Sequence, residues 1–200
     1  MATQPARTAS LTRTTSETEV ALSLGLDGTG RAEIATGIGF LDHMLTSLAR
    51  HAAFDLTVRA KGDLDVDCHH TTEDVGIVLG QALARALGEK RGIVRFGHAV
   101  VPMDEALVEA VIDLSGRAFF AWDVAFARAK VGTMDTELFE EFFRALAANG
   151  LFTLHVTRRA GSNTHHLAEA TFKAVARALR MAVAPDARAE GAIPSTKGAL

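Results

Sequence analysis

Two stretches of the chain carry one chemical pattern. Cys68-His69-His70-Thr71-Thr72-Glu73-Asp74 reads His-His-x-x-Glu, and Thr164-His165-His166-Leu167-Ala168-Glu169-Ala170 repeats it 96 residues further on. On a helix, a glutamate three and four residues after two histidines shares their face. Each stretch therefore offers two imidazoles and a carboxylate on one side. Neutral imidazole nitrogens with a carboxylate suit a borderline divalent cation such as manganese, iron or zinc. For a lone histidine a solvated or hydrogen-bonded ring is the better reading. Recurrence of the same ligand types in matched frames reverses that preference.

Hydrophobic patterning supplies the elements that must position these groups. Val20 to Leu26 alternates with apolar residues on even positions, and Asp27-Gly28 marks a turn, which predicts a strand and a hairpin into Ala32–Thr36. Phe40, Leu41, Met44, Leu45 and Leu48 form the apolar face of a helix over Phe40–His51. Phe54, Leu56 and Val58 alternate as a strand. Past a turn at Gly62-Asp63, Val75, Leu79, Ala82, Leu83 and Ala86 make the stripe of a second helix. The second half repeats the plan: strands over His98–Met103, Ala106–Leu114 and Ala118–Phe126, with a turn at Ser115-Gly116. A helix over Thr136–Asn149, a strand over Phe152–Thr157 and a helix over Leu167–Ala184 complete it.

The repeat can be followed residue by residue. Leu48, Phe54, Leu56 and Val58 meet Leu146, Phe152, Leu154 and Val156 at an offset of 98. After the next turn the offset is 96, and Leu79 and Leu83 meet Val175 and Leu179. Loops tolerate such length changes best. The chain therefore reads as an α+β fold of two fused halves, each a sheet with two helices on one face. We place the first half at 1–92 and the second, with a C-terminal tail, at 93–200, packed as one unit. At offset 98, His43 on the first helix falls onto Glu141. Each half thus contributes one ligand-capable residue from its first helix and three from its second, enough for two metals. A site joined across a subunit contact would make symmetric assembly part of building it.

Composition narrows the function classes. A net charge of −3 with no basic stripe gives no footprint for nucleic acid. No run approaches the roughly 18 apolar residues of a membrane span. Met1 to Ser16 is polar, lacks the apolar core of a signal peptide and reads as a frayed tail, disordered over 1–11. The single Cys68 permits no intramolecular disulfide, suits a reducing cytoplasm and reads as a small buried thiol.

Five motifs then coincide. Phe40-Leu41-Asp42-His43-Met44-Leu45, the run from His69 to Asp74, Asp113-Leu114-Ser115-Gly116-Arg117, the segment His165–Arg180 and Pro194-Ser195-Thr196-Lys197-Gly198 together resemble the imidazoleglycerol-phosphate dehydratases. The likeness runs from about Glu17 to the C-terminus. It implies a duplicated fold like the second domain of ribosomal protein S5. It also implies dehydration of D-erythro-imidazoleglycerol phosphate to imidazole-acetol phosphate in histidine biosynthesis, two manganese ions per active site, and a homo-oligomer of about 24 chains.

Carried over by position, the resemblance makes His43, His69, His70, Glu73, His165, His166 and Glu169 metal ligands. The family's eighth ligand, often a histidine, is Glu141 here, which leaves open a carboxylate ligand, a water in its place or a weaker metal. Glu17 matches a substrate-contacting glutamate, and Arg95, Arg117, Ser195 and Lys197 match residues that hold the phosphate. His51, Asp104 and Lys173 match further catalytic positions. His98 and His155 have no partner pattern and read as ordinary polar residues.

Such a dehydration must remove a weakly acidic C–H proton and expel hydroxide with no neighbouring carbonyl to store charge. The substrate's imidazole can serve as the sink if both nitrogens meet metal as an imidazolate, giving a diazafulvene-like intermediate. Glu17 is the first candidate to shuttle the proton, and Asp104 with His51 or Lys173 the second. Two rival readings remain at this level: a metal-dependent assembly module without catalysis, and a dinuclear metallohydrolase, although the latter would favour bridging aspartates.

Overall fold

The computed structural model describes residues 6–189 and 191–200. Along the chain come β1 (Thr8–Thr14), β2 (Thr18–Gly25), β3 (Ala32–Ala35), α1 (Gly39–Ala52), β4 (Asp55–Gly62) and α2 (His69–Leu87). Then follow β5 (Phe96–Met103), β6 (Ala106–Asp113), β7 (Phe119–Asp123), β8 (Lys130–Val131), β9 (Met134–Asp135), α3 (Glu137–Gly150), β10 (Thr153–Ala160) and α4 (Thr164–Ala182). One sheet has the order β1-β2-β4-β3 and the other β5-β6-β10-β7. In both, the first three strands in this order are antiparallel neighbours and the last lies parallel to the third. Leu22 opposes Val58 in one sheet, and the frame-matched Ala110 opposes Val156 in the other. The duplication is therefore written into topology and register as well as composition.

The helices of one half pack against those of the other, α2 on α3 and α1 on α4. The sheets cover them from outside, with α2 on β1, β2 and β4 and α4 on β5 and β6. This exchange matters for the site, because it sets the first helix of each half beside the second helix of its partner half. α2 and α3 meet closely where α2 carries Gly76 and Gly80. A Cβ on Gly80 would stand 2.6 Å from the Leu146 carbonyl oxygen and 2.8 Å from the Gly150 nitrogen. Since these are backbone atoms, Gly80→Ala is expected to cost about 1–3 kcal/mol through overpacking. A lowered thermal midpoint measured without metal checks this, and an unchanged midpoint would show that the helices can part freely.

Phenylalanines pack the core of the second half and reach across to the first. Phe142 and Phe143 of α3 meet Phe172 of α4 with ring centroids 5.3 and 4.7 Å apart, and Phe40 of α1 lies 5.7 Å from Phe139. The first helix of each half ends on a left-handed residue in the same frame, Ala53 at φ 57° and Leu151 at φ 53°. Their N–H groups donate back to Ala49 and Ala147 respectively, closing the helix end.

Two expectations need correction, and one element was not foreseen. The frayed N-terminus is wrong for Thr8–Thr14, which is strand β1; residues 1–5 lie outside the described residues. β1 is fixed by its ladder with β2 and by Arg13, whose Nε donates to the buried Asp74 of α2 at 2.9 Å; Thr18 donates its hydroxyl to the same carboxylate. Thr-rich alternation hid this strand, because only one of its faces is apolar, through Ala9 and Leu11. The expected hairpin from β2 into β3 does not form. β3 instead lies parallel to β4, and β2 makes its hairpin with β1. The β8–β9 ribbon, too short for a periodic signal, had no counterpart in the pattern.

Candidate active site

The exchanged helices bring His43 of α1 to His165 and Glu169 of α4. Nε2 of His43 lies 3.4 Å and Nε2 of His165 lies 3.2 Å from the same Oε2 of Glu169. One ligand atom from each of these residues falls within 4.8 Å of the others, and among the described residues no other group of three meets that measure. His43 and His165 are exposed, whereas Glu169 is partly buried. Burial pushes the Glu169 carboxyl up, but Lys173, whose Nζ donates to Oε1 at 2.8 Å, and the two histidines outweigh it and hold it below the usual range. Glu169 is thus an anion ready to receive a cation. Phe40 packs edge-on against His165 with centroids 5.2 Å apart, which fixes the ring from its apolar side.

The paired histidines repeat their mutual geometry in the two halves. The rings of His69 and His70 are 6.0 Å apart at 84°, and those of His165 and His166 are 6.2 Å apart at 85°. Within the second pair the partners diverge: His165 joins the cluster above, while His166 Nδ1 meets Glu105 at 2.8 Å. His70 Nδ1 likewise meets Asp63 at 2.9 Å. Two further carboxylates hover at the other nitrogens, Glu17 Oε2 at 3.9 Å from His70 Nε2 and Asp104 Oδ2 at 3.7 Å from His166 Nε2. Asn163 caps α4, its side-chain oxygen accepting from the N–H groups of His165 and His166, which sets that pair in the first turn.

His69 and Glu73 lie half-buried on the first turns of α2. Glu141, half-buried on α3, is drawn toward Arg144, 3.5 Å away. In the single chain the frame-mate of the His43 position therefore sits in an ion pair rather than in a second compact trio. His51 is half-buried in the last turn of α1. Burial, then the positive charges of Lys173 and Arg177, lower its pKa, which keeps the ring neutral near pH 7.

The hydrogen bonds that His70 and His166 donate to Asp63 and Glu105 raise the pKa of both histidines above the ordinary value. Protons therefore compete with a cation for these nitrogens from a higher pH than at a free histidine. As the pH falls through the raised values, the affinity of these nitrogens for any divalent cation offered to them should drop about tenfold per pH unit for each proton displaced. Titrations at several pH values between 8 and 6 test this, and a flat affinity over that range would contradict it. In the metal-free chain the sign differs. Stability from the raised histidines is present below their unfolded pKa and is lost as the pH rises through the folded one.

A separate cavity of about 540 Å³ is lined by Arg95, Phe96, Arg117, Pro194, Ser195 and Lys197. Its polar residues, Arg95, Arg117, Ser195, Thr196 and Lys197, come from three separate segments, with the C-terminal tail closing one wall. Arg95 holds that wall: Nε and Nη2 donate to Asp113 at 2.7 and 3.1 Å, and Nη1 donates to the Pro194 carbonyl at 2.7 Å. Ser195 Oγ accepts from the Lys197 N–H at 3.2 Å, leaving the lysine side chain exposed. None of the histidines lines this cavity.

Sequence reasoning missed Asp63, taken only as part of a turn, and Glu105, overlooked beside Asp104. A usable signal existed for the second, because β2 and β6 are in register at an offset of 88, which places Glu105 in the frame of Glu17.

Fold and site together define an internally duplicated α+β protein with matched histidine–carboxylate clusters at its helix starts. The profile of the imidazoleglycerol-phosphate dehydratases matches residues 36–179. Proteins of that name from Granulibacter bethesdensis and Acidiphilium cryptum are 73% and 71% identical over 194 residues, covering 97% of this chain and 99% of each relative. The crystal structure of the Staphylococcus aureus enzyme of this name superposes with a TM-score of 0.81 at 42% identity, covering 89% of this chain and 99% of that one. The Pyrococcus furiosus structure gives 0.82 at 37%, covering 95% and 100%. The chain belongs to the imidazoleglycerol-phosphate dehydratase family, the hydro-lyases of histidine biosynthesis.

Proposed function

We propose that the chain dehydrates imidazoleglycerol phosphate to imidazole-acetol phosphate at a two-manganese site completed by neighbouring subunits. The observation that carries the metal half of this reading is the convergence of His43, His165 and Glu169. Two imidazole nitrogens and a carboxylate oxygen are a donor set that fits manganese. His69, His70, Glu73 and His166 are the remaining ligands in this reading, with Glu141 as the eighth. Bound there, the cations supply Lewis acidity to the substrate's ring, which stores the charge released on deprotonation.

The chain's own groups do the rest. Glu17 takes the proton from the carbon next to the ring. The protonated Glu17, or Asp104 with His51 as the alternative shuttle, returns it to the departing hydroxyl, and Lys173 keeps Glu169 ionised and oriented. The cavity of Arg95, Arg117, Ser195 and Lys197 holds the phosphate, with cations and a hydroxyl matched to a dianion. Its separation from the histidines supports a site in which one subunit supplies the phosphate clamp and another the ligands. An assembly of about 24 copies in the cytoplasm fits that arrangement. Among the described residues no helix is long and apolar enough to cross a membrane.

The phosphate clamp acts remote from the reacting carbon, so Lys197→Ala should raise KM about tenfold or more while bound manganese stays at the wild-type level. Loss of manganese in this variant would contradict the division of roles. The reaction itself is tested by incubating the assembled protein with manganese and imidazoleglycerol phosphate and following the keto product. Absence of product from a metal-replete assembly would favour a purely structural staple, and release of inorganic phosphate a metallohydrolase.

A further inference from the structure

We propose that Asp63 and Glu105 are positioning residues that fix the tautomer of His70 and His166, and that Asp63 thereby frees Glu17 for proton transfer. The inference rests on the metal-site reading above and concerns the two residues on which that reading is silent. His70 and His166 occupy the same frame, 96 residues apart, and each offers Nδ1 to a carboxylate at 2.9 and 2.8 Å. A carboxylate there accepts the hydrogen bond from Nδ1–H and leaves the Nε2 lone pair outward, the form a cation needs.

The two carboxylates do not come from equivalent positions. β10 takes up one extra residue between Arg158 and Ala160, which sets Gly161 in the frame of Gly62 and Ser162 in the frame of Asp63. Ser162 carries no carboxylate, so the second half does not orient His166 through an acid on that loop. Glu105 does it instead, from the β5–β6 turn. It is anchored for the task, since its Oε1 accepts from the N–H groups of Ser162 and Asn163 at 3.2 and 2.8 Å.

Glu17 is the frame-mate of Glu105 and sits on the corresponding β1–β2 turn, yet it makes no bond to His70 Nδ1, because Asp63 already fills that place. It stands instead 3.9 Å from Nε2, on the side where a ligand would enter. Duplication supplied two matched glutamates, and a serine in one loop against an aspartate in the other assigned them different work.

The same chemical change in matched frames separates the roles. In Glu105→Gln the two backbone N–H groups retain the amide oxygen and turn the NH2 toward His166 Nδ1. That forces the proton onto Nε2. Manganese affinity, measured by titrating the chelator-stripped, assembled protein, should fall about 10–100-fold. Glu17→Gln should keep wild-type affinity. Asp63→Ala should resemble Glu105→Gln. Asp63→Asn should retain part of the affinity, because its amide oxygen can still accept from Nδ1–H while the remaining NH2 meets the position where Asp63 Oδ1 has no partner among the described residues. Metal-free thermal midpoints within a few degrees of wild type show that the variants are folded. Wild-type affinity in both Asp63→Ala and Glu105→Gln would overturn the inference while leaving the metal site intact. Failure of the wild type to bind manganese would overturn the site itself, and the inference with it.

Discussion

Glu17→Gln is expected to lower kcat by about 10²–10⁴-fold with manganese content unchanged. The side chain is exposed on the β1–β2 turn and is not tied down by a close bond; its nearest charged partner is His70 Nε2 at 3.9 Å. The amide keeps the shape and the surroundings but cannot take a proton. Orientation of the substrate survives, so KM should move little, and the loss falls on the chemical step. Steady-state kinetics on the assembled variant, paired with metal analysis, check the claim. A variant that retains wild-type kcat would transfer the role to Asp104, which stands 3.7 Å from His166 Nε2.

Glu169→Ala should abolish turnover by a different route, with manganese affinity falling more than about 100-fold, beyond the loss typical of removing an orienting group. The substitution deletes the oxygen that both His43 and His165 face. It also leaves the Lys173 ammonium without the anion it pairs with at 2.8 Å, so a cation must enter beside an unneutralised positive charge. Metal analysis after gel filtration tests this, and near-normal manganese occupancy would remove Glu169 from the ligand set.

Much of the fold was legible because both halves express it. Helices α1 to α4 carried apolar stripes that their burial matches, and the offset of 98 falling to 96 marked the loop where the halves differ. Partner choice was less legible. Alternation at Val20 to Leu26 announced β2, but nothing local says that β3 passes over to lie parallel to β4, since a parallel pairing is decided by how the crossover helix α1, which packs against β3, returns the chain. β1 was hidden because its stabilising contact, Arg13 with Asp74, joins residues 61 apart.

For the site, periodicity named the ligand triplets, and the cross-half trio of His43, His165 and Glu169 needed the helix exchange that only packing reveals. The orienting carboxylates were harder still. Asp63 looked like turn chemistry, and the offset of 88 that pairs Glu105 with Glu17 was not followed into the turn.

Anomalous diffraction from crystals of the assembled, manganese-soaked protein tests the central claim most directly. The account predicts a manganese peak within ligand distance, about 2.0–2.4 Å, of His43 Nε2, His165 Nε2 and a Glu169 oxygen. A protein that converts imidazoleglycerol phosphate while showing no peak at that trio, or a peak only at other residues, would contradict it.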